Sequence, residues 1–175
     1  IGKPLATALD AYAPEGYEVN PEMISNAYRK WYAEQGRLGL QDEPLFPGMF
    51  KLINDLKINK EFHIGVATNK SRIALNNGLK KHNLINIFDI TLTMDEAKAK
   101  PDPDMAIQAM SMLNIEKKST IIVGDTINDI GLGVNAGINS IGVAWGYNSI
   151  EMLRNEGADF IIKDSEELFD TIINL

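Results

Sequence analysis

From about residue 49 onward, short apolar runs alternate with longer stretches whose apolar residues recur at helical spacing. The runs fall at 63–67, 90–92, 120–123, 140–144 and 160–162, the length and character of buried strands. Helices are predicted between and around them at 49–57, 71–81, 103–113, 127–136, 149–155 and 166–173. Asp102-Pro103 and Asp164 with Glu167 supply helix-start chemistry for two of these. Strands alternating with helices predict an α/β fold, with a parallel sheet, right-handed crossovers and helices on both faces. Such a sheet takes its ligands beyond the carboxyl ends of its strands.

The first 45 residues read differently. They hold Tyr12, Tyr17, Tyr28 and Tyr32, four of the five tyrosines, together with Trp31. Asn20-Pro21-Glu22 is a helix start, an Asn cap followed by Pro at the first helical position. Met23, Ile24, Ala27, Tyr28 and Trp31 follow at helical spacing, so a helix is expected to about Gln35, ending at Gly36. That spacing reads Tyr28 and Trp31 as core residues. No strand-like alternation appears before Leu45. Pro44-Leu45-Phe46-Pro47-Gly48 is the clearest punctuation in the chain, and the boundary is placed there: an all-helical unit at 1–45 and an α/β unit at 46–175. The chain begins at Ile1 inside a helix-forming run and reads as a piece of a longer one.

Composition narrows the partners. The net charge of −7 opposes a polyanion, so no nucleic acid is expected. Nothing approaches the roughly 18 apolar residues of a membrane span, and no membrane partner is expected. The chain has no cysteine, which removes disulfides, thiolate nucleophiles and thiolate zinc sites and fits a cytoplasmic protein.

Three polar clusters fall where the sheet rule puts a site. Thr68-Asn69-Lys70 follows the first strand, Lys100-Pro101-Asp102-Pro103 precedes a helix, and Gly124-Asp125-Thr126-Ile127-Asn128-Asp129 follows the third strand. Each has an ordinary structural reading: Thr68 and Ser71 as caps, Asp125 and Asp129 as helix-dipole partners, Lys100 as a solvated loop lysine. Together they supply more. A hydroxyl with adjacent N–H groups at a helix start cradles an anion. A lysine adds a point charge for phosphate, and two carboxylates four residues apart offer hard oxygen ligands to magnesium. Phosphoryl transfer asks for those parts.

In this order and spacing the clusters resemble the second, third and fourth motifs of the haloacid dehalogenase-like (HAD-like) hydrolases. Val66-Ala67-Thr68-Asn69-Lys70 is similar to the second, Lys100-Pro101 to the third, and Ile121 to Asp129 to the fourth in its GDTxxD form. Asn135-Ala136-Gly137, Gly142-Val143-Ala144-Trp145-Gly146, Leu153 and Gly157-Ala158-Asp159 continue the pattern of the phosphoglycolate phosphatase-like branch. The tyrosine-rich start resembles the later half of that branch's helical cap. The resemblance implies a HAD-like Rossmannoid sheet with a partial cap, and a magnesium-dependent phosphatase of small phosphorylated metabolites. Thr68 and Asn69 would hold phosphoryl oxygens and Lys100 would neutralise charge. Asp125 would bind Mg2+, with Asp129 in its shell.

The family's first motif, DxD followed by Gly-Thr, has no counterpart in this sequence. Asp102-Pro103-Asp104 matches only by letter, because its context opens a helix instead of ending a buried strand. The resemblance therefore implies an aspartyl nucleophile on a central strand outside this sequence, with some 40–50 residues before Ile1 at usual element lengths. A catalytically inactive fragment or binding module of the same fold is the alternative, against which intact Thr68, Lys100 and Asp125 weigh.

Other patterns lead elsewhere and are weaker. Gly131-Leu132-Gly133-Val134-Asn135-Ala136 has dinucleotide-loop spacing but lies well past its strand, and no acidic residue ends the next one. A receiver domain would place its acidic pair before Thr and Lys. His63 and His82 lack ligand spacing. Trp145 and Tyr147 read as packing residues near the site rim.

Overall fold

The structure is a computed structural model that describes residues 20–37 and 43–175. Tyr12, Tyr17 and the rest of the helical start expected over 1–19 lie outside the described residues. The chain divides into two compact units, with the boundary between Pro44 and Leu45.

The described part of the first unit is helix α1 (Pro21–Arg37). Asn20 opens it, its side-chain oxygen accepting the N–H groups of Glu22 at 3.0 Å and Met23 at 3.1 Å. The helix runs through Gly36, past its expected end. An interior glycine costs a helix about 1 kcal/mol but stops it only when the backbone turns left-handed there. Tyr28 and Trp31 stack obliquely with ring centroids 5.9 Å apart, and both are exposed, at 42% and 57%. Their expected core role fails, because helical spacing puts residues on one face without supplying anything to cover it.

The second unit alternates as expected: α2 (Met49–Ile58), β1 (Gly65–Thr68), α3 (Arg72–Lys81), β2 (Ile90–Thr93), α4 (Asp104–Leu113), β3 (Ile121–Gly124), α5 (Ile127–Ala136), β4 (Asn139–Val143), α6 (Ile150–Glu156), β5 (Phe160–Ile162) and α7 (Ser165–Ile173). All strand pairs are parallel. They form two sheets, β1-β2 and β3-β4-β5. Strand β1 begins two residues later than expected. Ile64 is held instead by Asp89, donating to its carboxylate at 3.0 Å and accepting its N–H at 2.8 Å. Lys57 also donates to Asp89, and these bonds hold that carboxyl below the usual range.

The starts of the helices follow the capping chemistry. Ser71, Thr126, Ser149 and Asp164 each accept an N–H from the first turn of the helix they open. Asp102 accepts the Asp104 N–H at 3.0 Å, so its carboxylate opens α4. Ile90 and Leu92 of β2 pack with Met105 and Met110 of α4 and with Leu132 and Ala136 of α5, which joins the two sheets through shared apolar contacts. A second cluster joins Leu52 and Leu56 of α2 to Ile141, Val143, Ile162 and Leu168. Among the described residues, β1 and β3 each ladder on one side only, and β3 is half-buried along its whole length. Also among the described residues, no helix is long and apolar enough to cross a membrane.

One polar network fixes α3 against the end of β2. Arg72 donates to both the hydroxyl and the carbonyl of Thr91, at 2.7 and 2.8 Å, and to Glu96 at 3.0 and 2.8 Å. Glu96 in turn accepts the N–H and hydroxyl of buried Thr93, at 2.9 and 2.7 Å. The Arg72 guanidinium and the Thr93 donors pull the Glu96 carboxyl down from 4.5 to about 2. A depressed carboxyl stabilises the fold fully above its unfolded value and loses that contribution as pH falls toward the folded one. The window is therefore about pH 4.5 down to about 2. Glu96→Gln should melt below the parent at pH 7, and the gap should close across that window. A gap in melting temperature that stays constant with pH would show that ionised Glu96 adds nothing.

Candidate active site

Lys100 lies in the loop between β2 and α4, yet its side chain spans the two sheets. Its ammonium donates to the Ala67 carbonyl at 2.8 Å and to Asp129 Oδ1 at 2.5 Å. The pair is secluded, with side-chain exposures of 12% for Lys100 and 8% for Asp129. Ala67 precedes Thr68 at the carboxyl end of β1, and Asp129 lies in the first turn of α5, directly after the loop that carries Asp125. The ends of β1 and β3 are thus brought to one cation. Pro101 follows through a cis peptide bond.

Thr68 closes β1 with its hydroxyl oxygen accepting the Lys70 N–H at 3.2 Å. That bond uses an acceptor lone pair and leaves the hydroxyl proton for another partner. Asn69, expected beside Thr68 on the phosphoryl oxygens, turns to Lys100. Its Oδ1 accepts the Lys100 N–H at 2.7 Å and its Nδ2 donates to the Lys100 carbonyl at 3.1 Å.

The two aspartates differ in what they have left to offer. Asp129 has both oxygens engaged: Oδ1 with Lys100, Oδ2 with the Thr126 N–H at 3.0 Å and the Thr126 hydroxyl at 2.6 Å. With Thr126 accepting the Asp129 N–H in return, this is a capping box. Asp125 accepts only the Tyr147 N–H at 3.0 Å, on one oxygen; its other oxygen has no hydrogen bond among the described residues. The donor set therefore fits magnesium at Asp125, since that ion takes one or two carboxylates and keeps several waters. Asp129, expected in the metal's shell, has both oxygens engaged and fits a supporting position behind it. The described residues hold no group of three His, Cys, Asp or Glu side chains suited to a metal.

Two glycines make room for these carboxylates. A Cβ on Gly124 would overlap the Asp129 side chain, and one on Gly146 would overlap that of Asp125. Glycine is the residue that allows such approach of backbone to side chain.

A profile of the family described as haloacid dehalogenase-like hydrolase matches residues 1–143. The chain belongs to this family. A pyrophosphatase PpaX from Anoxybacillus flavithermus is 31% identical over 174 residues, covering 98% of this chain and 77% of the relative. The solved structure of a Clostridium acetobutylicum protein, provisionally assigned as a phosphatase, matches with a TM-score of 0.82 at 29% identity; the match covers 99% of this chain and 79% of that one. A Lactobacillus delbrueckii structure, provisionally assigned as a phosphoglycolate phosphatase, matches at 0.77 and 26%, covering 91% and 65%. This HAD-like hydrolase stands in the phosphatase branch of the family.

Several residues that shape the hydrolase's site are absent from the motif reading. Asn148 accepts the Ile127 N–H at 2.8 Å, and its own N–H binds the Asp125 carbonyl at 3.1 Å, so the loop after β4 buttresses the Asp125 loop. Arg72 fixes the start of α3, just beyond Thr68 and Asn69. The Thr93-to-Glu96 spacing is that of a capping box and was available as a signal, although here it closes a turn. Trp145 packs into the second core cluster, while Tyr147 is exposed at 64% and serves Asp125 through its backbone. His63 lies 3.8 Å from Asp89, away from these loops.

Removing one partner of a secluded ion pair strands the other charge, which costs about 3–5 kcal/mol. Lys100→Met should therefore lower unfolding free energy by about 3 kcal/mol or more. Lys100→Met combined with Asp129→Asn should recover part of that loss, because no charge is stranded while the Thr126 bonds persist. Chemical denaturation of the three proteins measures this. A double variant less stable than Lys100→Met alone would show that the Lys100–Asp129 attraction is not what the buried charges depend on.

Proposed function

We propose that this hydrolase is a magnesium-dependent phosphatase of small phosphorylated metabolites. The observation that carries the reading is the Lys100 ammonium, held between the Ala67 carbonyl, beside Thr68, and Asp129, in the helix turn that follows the Asp125 loop. Thr68 donates its free hydroxyl proton to a phosphoryl oxygen. Lys100, fixed by Asp129 and the Ala67 carbonyl, balances negative charge that develops on the transferring group. Asp125 holds magnesium, with Asp129 behind it keeping Lys100 and the Thr126 turn in place. When bound at Asp125, magnesium would supply charge neutralisation at the phosphoryl oxygens.

The attacking group is an aspartate of the family's first motif, outside this sequence. Support for its place comes from strands β1, half-buried after Gly65, and β3, half-buried throughout, each laddered on one side among the described residues. A strand between them would end beside Lys100. Inorganic pyrophosphate and phosphoglycolate are the first substrates to test, because similar proteins carry those names.

The test is phosphate release by the full-length protein with magnesium, across pyrophosphate, phosphoglycolate and sugar phosphates. Asp125→Ala should reduce turnover by about 100-fold or more, the scale of losing a group that stabilises transition-state charge. Its melting temperature without metal should hold or rise, since one carboxylate of an acidic cluster is gone. Equal turnover by variant and parent would sink the metal role.

A further inference from the structure

The backbone of Lys100 and Pro101 lies in a loop with no strand partner, so its polar groups must be satisfied one by one. The pair has three of them: the N–H and carbonyl of Lys100, and the carbonyl of Pro101, which has no N–H. Asparagine amides hold all three. Asn69 accepts the Lys100 N–H at 2.7 Å and donates to the Lys100 carbonyl at 3.1 Å. Asn135, near the end of α5, donates to the Pro101 carbonyl at 2.9 Å. Asn69 lies in the turn directly after β1, whose last residue is Thr68. Asn135 belongs to the helix whose first turn carries Asp129.

We infer that Asn69 and Asn135 are positioning residues for Lys100, and that Asn69 influences the reaction only through it. The inference rests on the reading of Lys100 as the cation that serves the phosphoryl group. A lysine ammonium sits at the end of a flexible four-carbon stem, so where it comes to rest depends on where its backbone is anchored. The anchors sit next to or on the elements that bear the ammonium's partners: Asn69 directly after β1, which carries Ala67, and Asn135 on α5, which carries Asp129. The Lys100 side chain is thus referenced at both ends to the parts of the site it must bridge. An amide suits the Asn69 position because one side chain must both accept an N–H and donate to a carbonyl. A carboxylate could do only the first.

The competing role is direct contact between the Asn69 amide and the phosphoryl oxygens. A double-mutant cycle separates the two, because groups that act through one another are non-additive. Asn69→Ala, Lys100→Gln and the double variant would be made in the full-length protein. Asn135→Ala would be added as a second probe of the same loop. Turnover of p-nitrophenyl phosphate with magnesium would be measured for each, with its melting temperature. Lys100→Gln removes the charge and keeps a donor for Asp129.

Asn69→Ala should lower kcat by about 10- to 100-fold, the scale of misplacing a catalytic group. KM should stay within about threefold, because the loss falls on the transition state. In the Lys100→Gln background the same change should cost less than about twofold. Asn135→Ala should lower kcat in the same non-additive way, by a smaller factor. Losses that multiply in the Asn69→Ala/Lys100→Gln protein would overturn the inference and give Asn69 a direct contact with substrate. Parent-like kcat in Asn69→Ala, with Lys100→Gln impaired, would overturn it too. Parent-like kcat in Lys100→Gln would instead defeat the reading of Lys100. Should Asn69→Ala melt below the assay temperature, Asn69→Asp replaces it in the cycle. It has the same shape, keeps the bond from the Lys100 N–H and loses the bond to the carbonyl.

Discussion

The arrangement of the candidate site depends on one part-buried ammonium. Lys100 joins the end of β1 to the first turn of α5, and so one sheet to the other, where no strand ladder joins them among the described residues. Apolar packing through α4 and α5 would hold the sheets together without it. Taking two charges out of water costs several kcal/mol each, and well-packed apolar side chains of similar size would serve stability as well or better. The pair makes physical sense as an arrangement for presenting charge. A cation whose partners are fixed beforehand need not reorganise when negative charge develops beside it.

The same logic separates the two aspartates. They are four residues apart on one loop and helix start, and in composition they are equivalent. Capping and the Lys100 contact consume both oxygens of Asp129, while Asp125 receives one backbone N–H and keeps an oxygen in reserve. Each sits against a glycine where a Cβ would collide with it. The backbone has been brought close enough to leave these carboxylates little room to move. Rigidity of this kind comes from elements that are themselves well capped, and the Thr126 capping box is the nearest of them.

Much of the fold was legible because its signals are local. An apolar run three to five residues long, a helical repeat and a capping side chain each declare themselves within a few positions. Asn20, Ser71, Asp164 and the strands β2 to β5 appear where those signals put them. The start of β1 was missed because Ile64 is held by Asp89, a partner 25 residues away. The site residues were legible as types at strand ends, and less so as roles. An asparagine next to a threonine at a strand end invites the expectation of a phosphate contact. Only its distance to Lys100, 31 residues on, reveals that its amide is spent on a backbone. Tyr28 and Trp31 show the opposite failure: their periodicity is real, yet both rings stay exposed.

Charge balance carries the argument one step further. The chain is net negative, and among Lys100, Asp125 and Asp129 the carboxylates outnumber the ammonium. A phosphate approaching these side chains alone would meet repulsion, and an additional aspartate nucleophile would strengthen it. Lys100 cannot reverse that sign, since Asp129 already neutralises it at 2.5 Å. What the site lacks is a positive charge greater than one, at a place where a carboxylate oxygen is still open. Asp125 is that place among the described residues. On the proposed reading, a divalent cation at Asp125 would make the site attractive to phosphate, and Lys100 would act later, as charge shifts onto the phosphoryl oxygens.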